Sequence, residues 1–180
     1  PAIDAGLVRV GGRPAASRAI PPRGLLVVPR AAGAAKRTAL QAATRNLSKS
    51  QDIDIFPADP ATGPGMRRAL ETGAILVHLD MHDRTAALLD DGRVPIDRLG
   101  IGEEVWLAVL GGTQNTQEAG GRLREAGATM VLSHQSEMSP AQAAAIEREF
   151  YRSLAHGDSV TDAITRARFS LFEAEGEHSH

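Results

Sequence analysis

AILVHLDMHD, residues 74–83, is the stretch on which the reading of this chain turns. Apolar residues dominate it as far as His78, and a second histidine, His82, follows just past the run. A short apolar run of this kind suits a strand buried on both faces of a parallel sheet. Polar groups at the end of such a strand face the crevice in which open α/β sheets bind their ligands. A second run of the same kind, VWLAVLGGTQN at 105–115, ends in glycines and Thr113. The expectation is therefore two buried strands whose mouths present His82 and Thr113.

Outward from these strands, apolar and amphipathic segments alternate. Gly24–Pro29 is expected as the first core strand, and Ala34–Ser50 as a helix with Leu40 and Leu47 on one face. Asp52–Phe56 alternates as a wetter strand, and Gly65–Thr72 is a short helix ended by Gly73. Leu88–Val94 carries Asp91-Gly92 as a hairpin turn, and Ile96–Leu99 suits a helical turn. The strand ending at Leu110 is followed by a helix at Gln117–Ala126 and a strand at Thr129–Ser133. Ser139-Pro140 opens a helix that runs to Leu154, and Ser159-x-x-Asp162 opens a last helix to Phe172. The alternation predicts an α/β fold, mostly parallel, with helices on both faces of the sheet. Residues 1–23, rich in Pro, Gly, Ala and Arg, are expected as a lead-in with one edge strand near Leu7–Val10. Residues 24–172 are the domain, and 173–180 an acidic, frayed tail.

Composition narrows the function. At 180 residues the chain is long enough for a single domain with a sizeable core. A formal charge of −2 lacks the basic excess of a general nucleic-acid binder. No apolar run approaches the roughly 20 residues needed to span a bilayer. The first residues lack the pattern of a signal peptide, and the first residue is Pro1 rather than Met, as in a processed chain or a piece of a longer protein. The absence of cysteine removes disulfides, thiolate-ligated zinc and any thiol nucleophile, and is compatible with a cytoplasmic setting.

From Leu25 to Leu171 the chain resembles the CHAT domains, caspase-like modules of the caspase and separase clan. The likeness rests on five stretches: Val77 to Asp83, where the family has a strand ending in His and then a His-Gly pair; Val109 to Asn115, where it has a Leu-Ser-Ala-Cys-like run; Ala126-Gly127-Ala128 before a strand; Ser133 to Met138; and Phe150 to Leu154 with Gly157 and an Ala-rich helix to Arg168. The resemblance implies a caspase-like three-layer sandwich and a cysteine–histidine dyad. It places the histidine at His82 and the nucleophile at Thr113, with Asp83 in the place of the glycine after the histidine.

Those departures decide the expected chemistry. A thiol ionises near pH 8.5 and an adjacent histidine lowers this further, whereas an internal threonine hydroxyl needs a strong base that it lacks here. The expectation is a catalytically inactive domain acting as a protein-interaction or regulatory module, with a protein or peptide partner and no cofactor. The alternatives are a peptidase using His82 with Thr113 or an activated water, and a small-molecule-binding α/β domain. Gly111 and Gly112 allow a tight turn and offer backbone amides of the oxyanion-binding type. His78, Asp54 and Asp59 are candidates for lining a substrate pocket. His78-x-x-x-His82 lacks the glutamate of H-E-x-x-H and lies in a strand pattern, so no metal site is expected. Ser133-His134 lacks a G-x-S-x-G elbow, and Trp106 is expected in the core.

Overall fold

A computed structural model describes residues 23–51, 53–58 and 61–176. Strands β1 (Arg23–Val27), β2 (Asp54–Pro57), β3 (Ala74–Asp80), β6 (Leu107–Gly111) and β7 (Met130–Leu132) form one sheet in the order β2-β1-β3-β6-β7. Every pairing in it is parallel. Strands β4 (Ala86–Leu89) and β5 (Gly92–Pro95) form a separate antiparallel hairpin. The helices are α1 (Ala34–Gln51), α2 (Gly63–Glu71), α3 (Gln117–Glu125), α4 (Pro140–Ala155) and α5 (Val160–Gly176).

The period-2 alternation of the strands sorts their side chains into two cores. Leu25, Val27, Val77, Leu79, Ala108 and Leu110 point to one face, where Met66 and Leu70 of α2 and Ala119 and Leu123 of α3 cover them. Leu26, Leu76, Leu107 and Val109 point to the other, under Leu40 and Leu47 of α1, Phe150 and Leu154 of α4 and Ala163 and Ala167 of α5. The fold is thus α/β in three layers, helices on both sides of a parallel sheet.

Several boundaries differ from the sequence reading. β3 does not stop at His78 but continues to Asp80, because His78 is accommodated between its register partners Leu26 of β1 and Val109 of β6. α2 begins two residues early: the Thr62 hydroxyl accepts from the Gly65 amide at 3.2 Å, and Pro64 occupies the first turn. The hairpin loop is Asp90-Asp91, with Leu89 opposite Gly92. The carboxylates of that loop accept from the amides of Ala61 (3.0 Å) and Gly63 (3.0 Å) and so hold the start of α2. Ser139 caps α4 as expected, and the Gln142 side chain returns the bond to complete a reciprocal cap. α5 runs on to Gly176, so the first part of the expected tail is helical. Leu7–Val10, Asp52, Asp59, His178 and His180 lie outside the described residues.

Candidate functional site

The carboxyl ends of β3 and β6 lie side by side at the middle of the sheet. Asp80 is the register partner of Gly111, and the Met81 amide donates to the Gly111 carbonyl at 3.1 Å. Gly112 has φ +106°, and a Cβ there would lie 3.0 Å from the Met81 carbonyl oxygen. Only glycine fits such a backbone without strain. His82 and Thr113 are therefore the next residue along each of these two touching segments.

Their side chains make little of it. His82 is exposed and Thr113 half-buried. Among the described residues neither side chain makes a hydrogen bond, so the two do not bond to each other. What holds them is backbone: the His82 amide donates to the Ala86 carbonyl (3.1 Å), and the Thr113 carbonyl accepts from the Met138 amide (2.9 Å). Asp83 has a local task. Its Oδ1 accepts from the amides of Thr85 (2.9 Å) and Ala86 (3.0 Å), and its Oδ2 pairs with Arg93 at 2.7 Å. Burial alone would raise this carboxyl. The Thr85 amide, Arg93, the Thr85 hydroxyl and the Ala86 amide together hold it below its ordinary value. A glycine could not close this turn with a side chain.

Beneath the mouth, on the α1/α4 side, lies a cluster of polar side chains. His78 and Asp80 share that face of β3, two residues apart. His78 is fully buried, and its Nδ1 lies 2.8 Å from the Tyr151 hydroxyl of α4. Glu147, one turn earlier on α4, is also buried and accepts from the Gly112 amide through Oε1 at 3.1 Å. Lys36, in the first turn of α1, places its Nζ 2.5 Å from Asp80 and 3.8 Å from Glu147 Oε1. A Cβ built on Gly111 would meet Glu147 Oε1 at 2.5 Å and His78 Nε2 at 2.7 Å.

The electrostatics follow from this packing. Burial, then the Lys36 charge, then His134 push His78 down to about 3, so the ring is neutral throughout the physiological range. Burial pushes the Glu147 carboxyl up to about 7; Lys36 and the Gly112 amide oppose this, and Asp80 adds to it. Tyr151 is raised by burial and by Glu147. Burial and Lys36 lower half-buried His134, whose backbone exchanges hydrogen bonds with Thr116 at 2.8 Å.

Two expected roles change. His78 is a sealed core residue and cannot line a substrate pocket. Asp54 is exposed at the start of edge strand β2, at the opposite end of the sheet from Gly111. It borders a shallow depression of about 460 Å³ with Arg23 and Arg68, and the fold does not bring it to His82. The Gly112 amide, a candidate oxyanion donor, is turned inward onto Glu147. Among the described residues no group of three or more His, Asp or Glu side chains could hold a metal ion, and no helix is long and apolar enough to cross a membrane. The sequence reading missed Lys36, Glu147 and the part played by Tyr151. Glu147 was detectable: it occupies an apolar position in the buried stripe of Ala143, Phe150, Tyr151 and Leu154.

No protein-family model matches the chain, and a search of curated proteins finds no match.

Proposed function

We propose that the domain is a catalytically inactive caspase-like module of CHAT type, part of a larger cytoplasmic protein, that works by contacting a protein or peptide partner. One observation supports the loss of chemistry: the amide of Gly112, the residue before Thr113, already donates to the buried Glu147 carboxylate at 3.1 Å. Acyl transfer needs free donors aimed at the developing charge, and here a negative group sits behind the donor instead. Thr113 adds a nucleophile of high pKa with no base bonded to it. Support for a partner comes from α5, where Phe169 is 67% and Phe172 79% exposed while every other large apolar side chain of the described residues is at least partly covered. The two rings stand three residues apart on one helix face, and contiguous exposed apolar surface is what marks a contact site.

The test is hydrolysis of a diverse fluorogenic peptide library by the purified chain, with His82→Ala in parallel. No turnover above that of the variant is expected. Turnover that disappears in His82→Ala would replace this reading by a working hydrolase.

A further inference from the structure

Helix α5 carries two stripes with different surroundings. Val160, Ala163 and Ala167 are buried in the core shared with α1 and α4, and Ile164 packs against it. That stripe attaches the helix to the domain. Phe169 and Phe172, two of the chain's four phenylalanines, take no part in it and stand 67% and 79% exposed. They belong to a second stripe, Asp162, Thr165, Phe169, Phe172 and Gly176, whose successive intervals are 3, 4, 3 and 4 residues. Its members from Asp162 to Phe172 are all exposed. A 3-4 spacing is the seam along which one helix packs on another.

The charges beside the seam identify the other helix. In the heptad set by this spacing, Arg166 and position 173 lie on one flank, and Arg168 and position 175 on the other. Positions 173 and 175 are both Glu, so each flank is basic before the aromatic pair and acidic after it. Such a surface is complementary to itself turned end for end. We propose that α5 is a self-association surface, on which a second copy of this chain packs its own α5 antiparallel through Phe169 and Phe172.

A twofold axis midway between the two rings sets each flank against the same flank of the other copy. Phe169 of one copy then meets Phe172 of the other, and Thr165 meets Gly176. Arg166 falls opposite position 173 and Arg168 opposite position 175, so all four charged positions meet their opposites. Parallel packing would match only Arg168, with position 173. Arg168 has no ionic or hydrogen-bond partner among the described residues, and Arg166 pairs with Asp158 at 3.1 Å while its side chain stays 65% exposed. Two aromatic layers on one helix pair bury less than the roughly 1,200 Å² of a stable interface, so the dimer is weak, with a dissociation constant on the order of 10–100 µM. The inference rests on the reading above that the domain works by contact, and it names the contact.

The experiment is sedimentation equilibrium of the chain across concentrations spanning that constant. Expected are a monomer–dimer equilibrium for the native chain and a monomer for Phe169→Ser/Phe172→Ser. Arg168→Glu and Glu175→Arg should each weaken the dimer about tenfold, since like charges then face each other twice by symmetry. The double variant Arg168→Glu/Glu175→Arg should recover it. Positions 168 and 175 are about 10 Å apart along one helix, too far to pair within a chain, so recovery reports contact between copies. Phe169, Phe172 and Arg168 are exposed, so these variants keep the fold, which circular dichroism checks. A native chain that stays monomeric, a dimer that survives loss of both rings, or a charge swap that recovers only with Glu173→Arg in place of Glu175→Arg each overturns the proposal. Peptide hydrolysis tests the absence of chemistry separately, so a monomer that cuts nothing sinks the self-association and leaves the inactive reading standing.

Discussion

Replacing Glu147 with glutamine should change how stability depends on pH, and by an amount the cluster fixes. Glu147 is held at about 7 in the folded chain against 4.5 for an ordinary glutamate, so the folded state binds the proton more tightly than the unfolded one. Its contribution is fully present below pH 4.5 and is lost as pH rises towards 7. His78 works the other way. It lies at about 3 against 6.5, so its contribution is present above 6.5 and is lost as pH falls. Each group gives a slope of about 1.4 kcal/mol per pH unit in its window. Between pH 4.5 and 6.5 the windows overlap and the slopes cancel.

Glutamine keeps the shape of the protonated carboxyl, and its oxygen can still accept from Gly112. Only the titration goes, and the forces that depress His78, burial first and then Lys36 and His134, remain. The variant should therefore gain about 3 kcal/mol of stability relative to the native chain between pH 4.5 and 6.5, and hold that advantage at pH 8. His134 is lowered in both proteins and drops out of the difference. Urea unfolding followed by circular dichroism at pH 4.5, 5.5, 6.5 and 8 measures it. Parallel stability curves for the two proteins, separated by a constant, would refute the reasoning, because Glu147 would then titrate alike in both states.

Gly111→Ala should destabilise the chain by about 1–3 kcal/mol, since the added methyl meets Glu147 and His78 at 2.5 and 2.7 Å, and thermal unfolding reads the loss. Tyr151→Phe removes the hydroxyl at His78 Nδ1 and leaves a buried nitrogen unpaired, a cost of about 1–3 kcal/mol in chemical denaturation. Asp83→Ala, in a more exposed turn, should cost about 1 kcal/mol, with faster amide exchange at Thr85 and Ala86. Thr113→Cys should give a thiol that alkylates with an apparent pKa near 8.5, the ordinary value, because the side chain of His82 makes no hydrogen bond here. A thiol pKa well below 7 that rises in the His82→Ala background would show an intact dyad instead.

The layers of the fold were legible because buried parallel strands write themselves as apolar runs and the helices between them carry their own caps. Ser139 with Pro140 is the clearest case, a cap and first-turn pair that opens α4. The end of β3 was misread for a physical reason: a histidine in an apolar run resembles the polar residue at a strand mouth. Only the helix that supplies Tyr151, 73 residues later, makes it a core residue. Lys36 left no local mark at all, since an exposed helix start is an ordinary place for a lysine and its partner Asp80 lies 44 residues away.

Glu147 ties these misses together. It breaks the apolar stripe of α4, and a buried carboxyl survives only where donors or a cation wait for it. Here the donor is the amide of a glycine at positive φ, the cation is Lys36, and the room is made by a second glycine. Gly111, Gly112 and Glu147 therefore depend on one another. Gly111 cannot carry a side chain while Glu147 and His78 fill the space above it, and Gly112 cannot turn its amide outward while Glu147 holds it. Restoring a sulfur at position 113 would leave that arrangement untouched. Under the proposed inactive reading, the committed Gly112 amide counts as much as the threonine at 113, and a thiol alone is expected to alkylate without cutting.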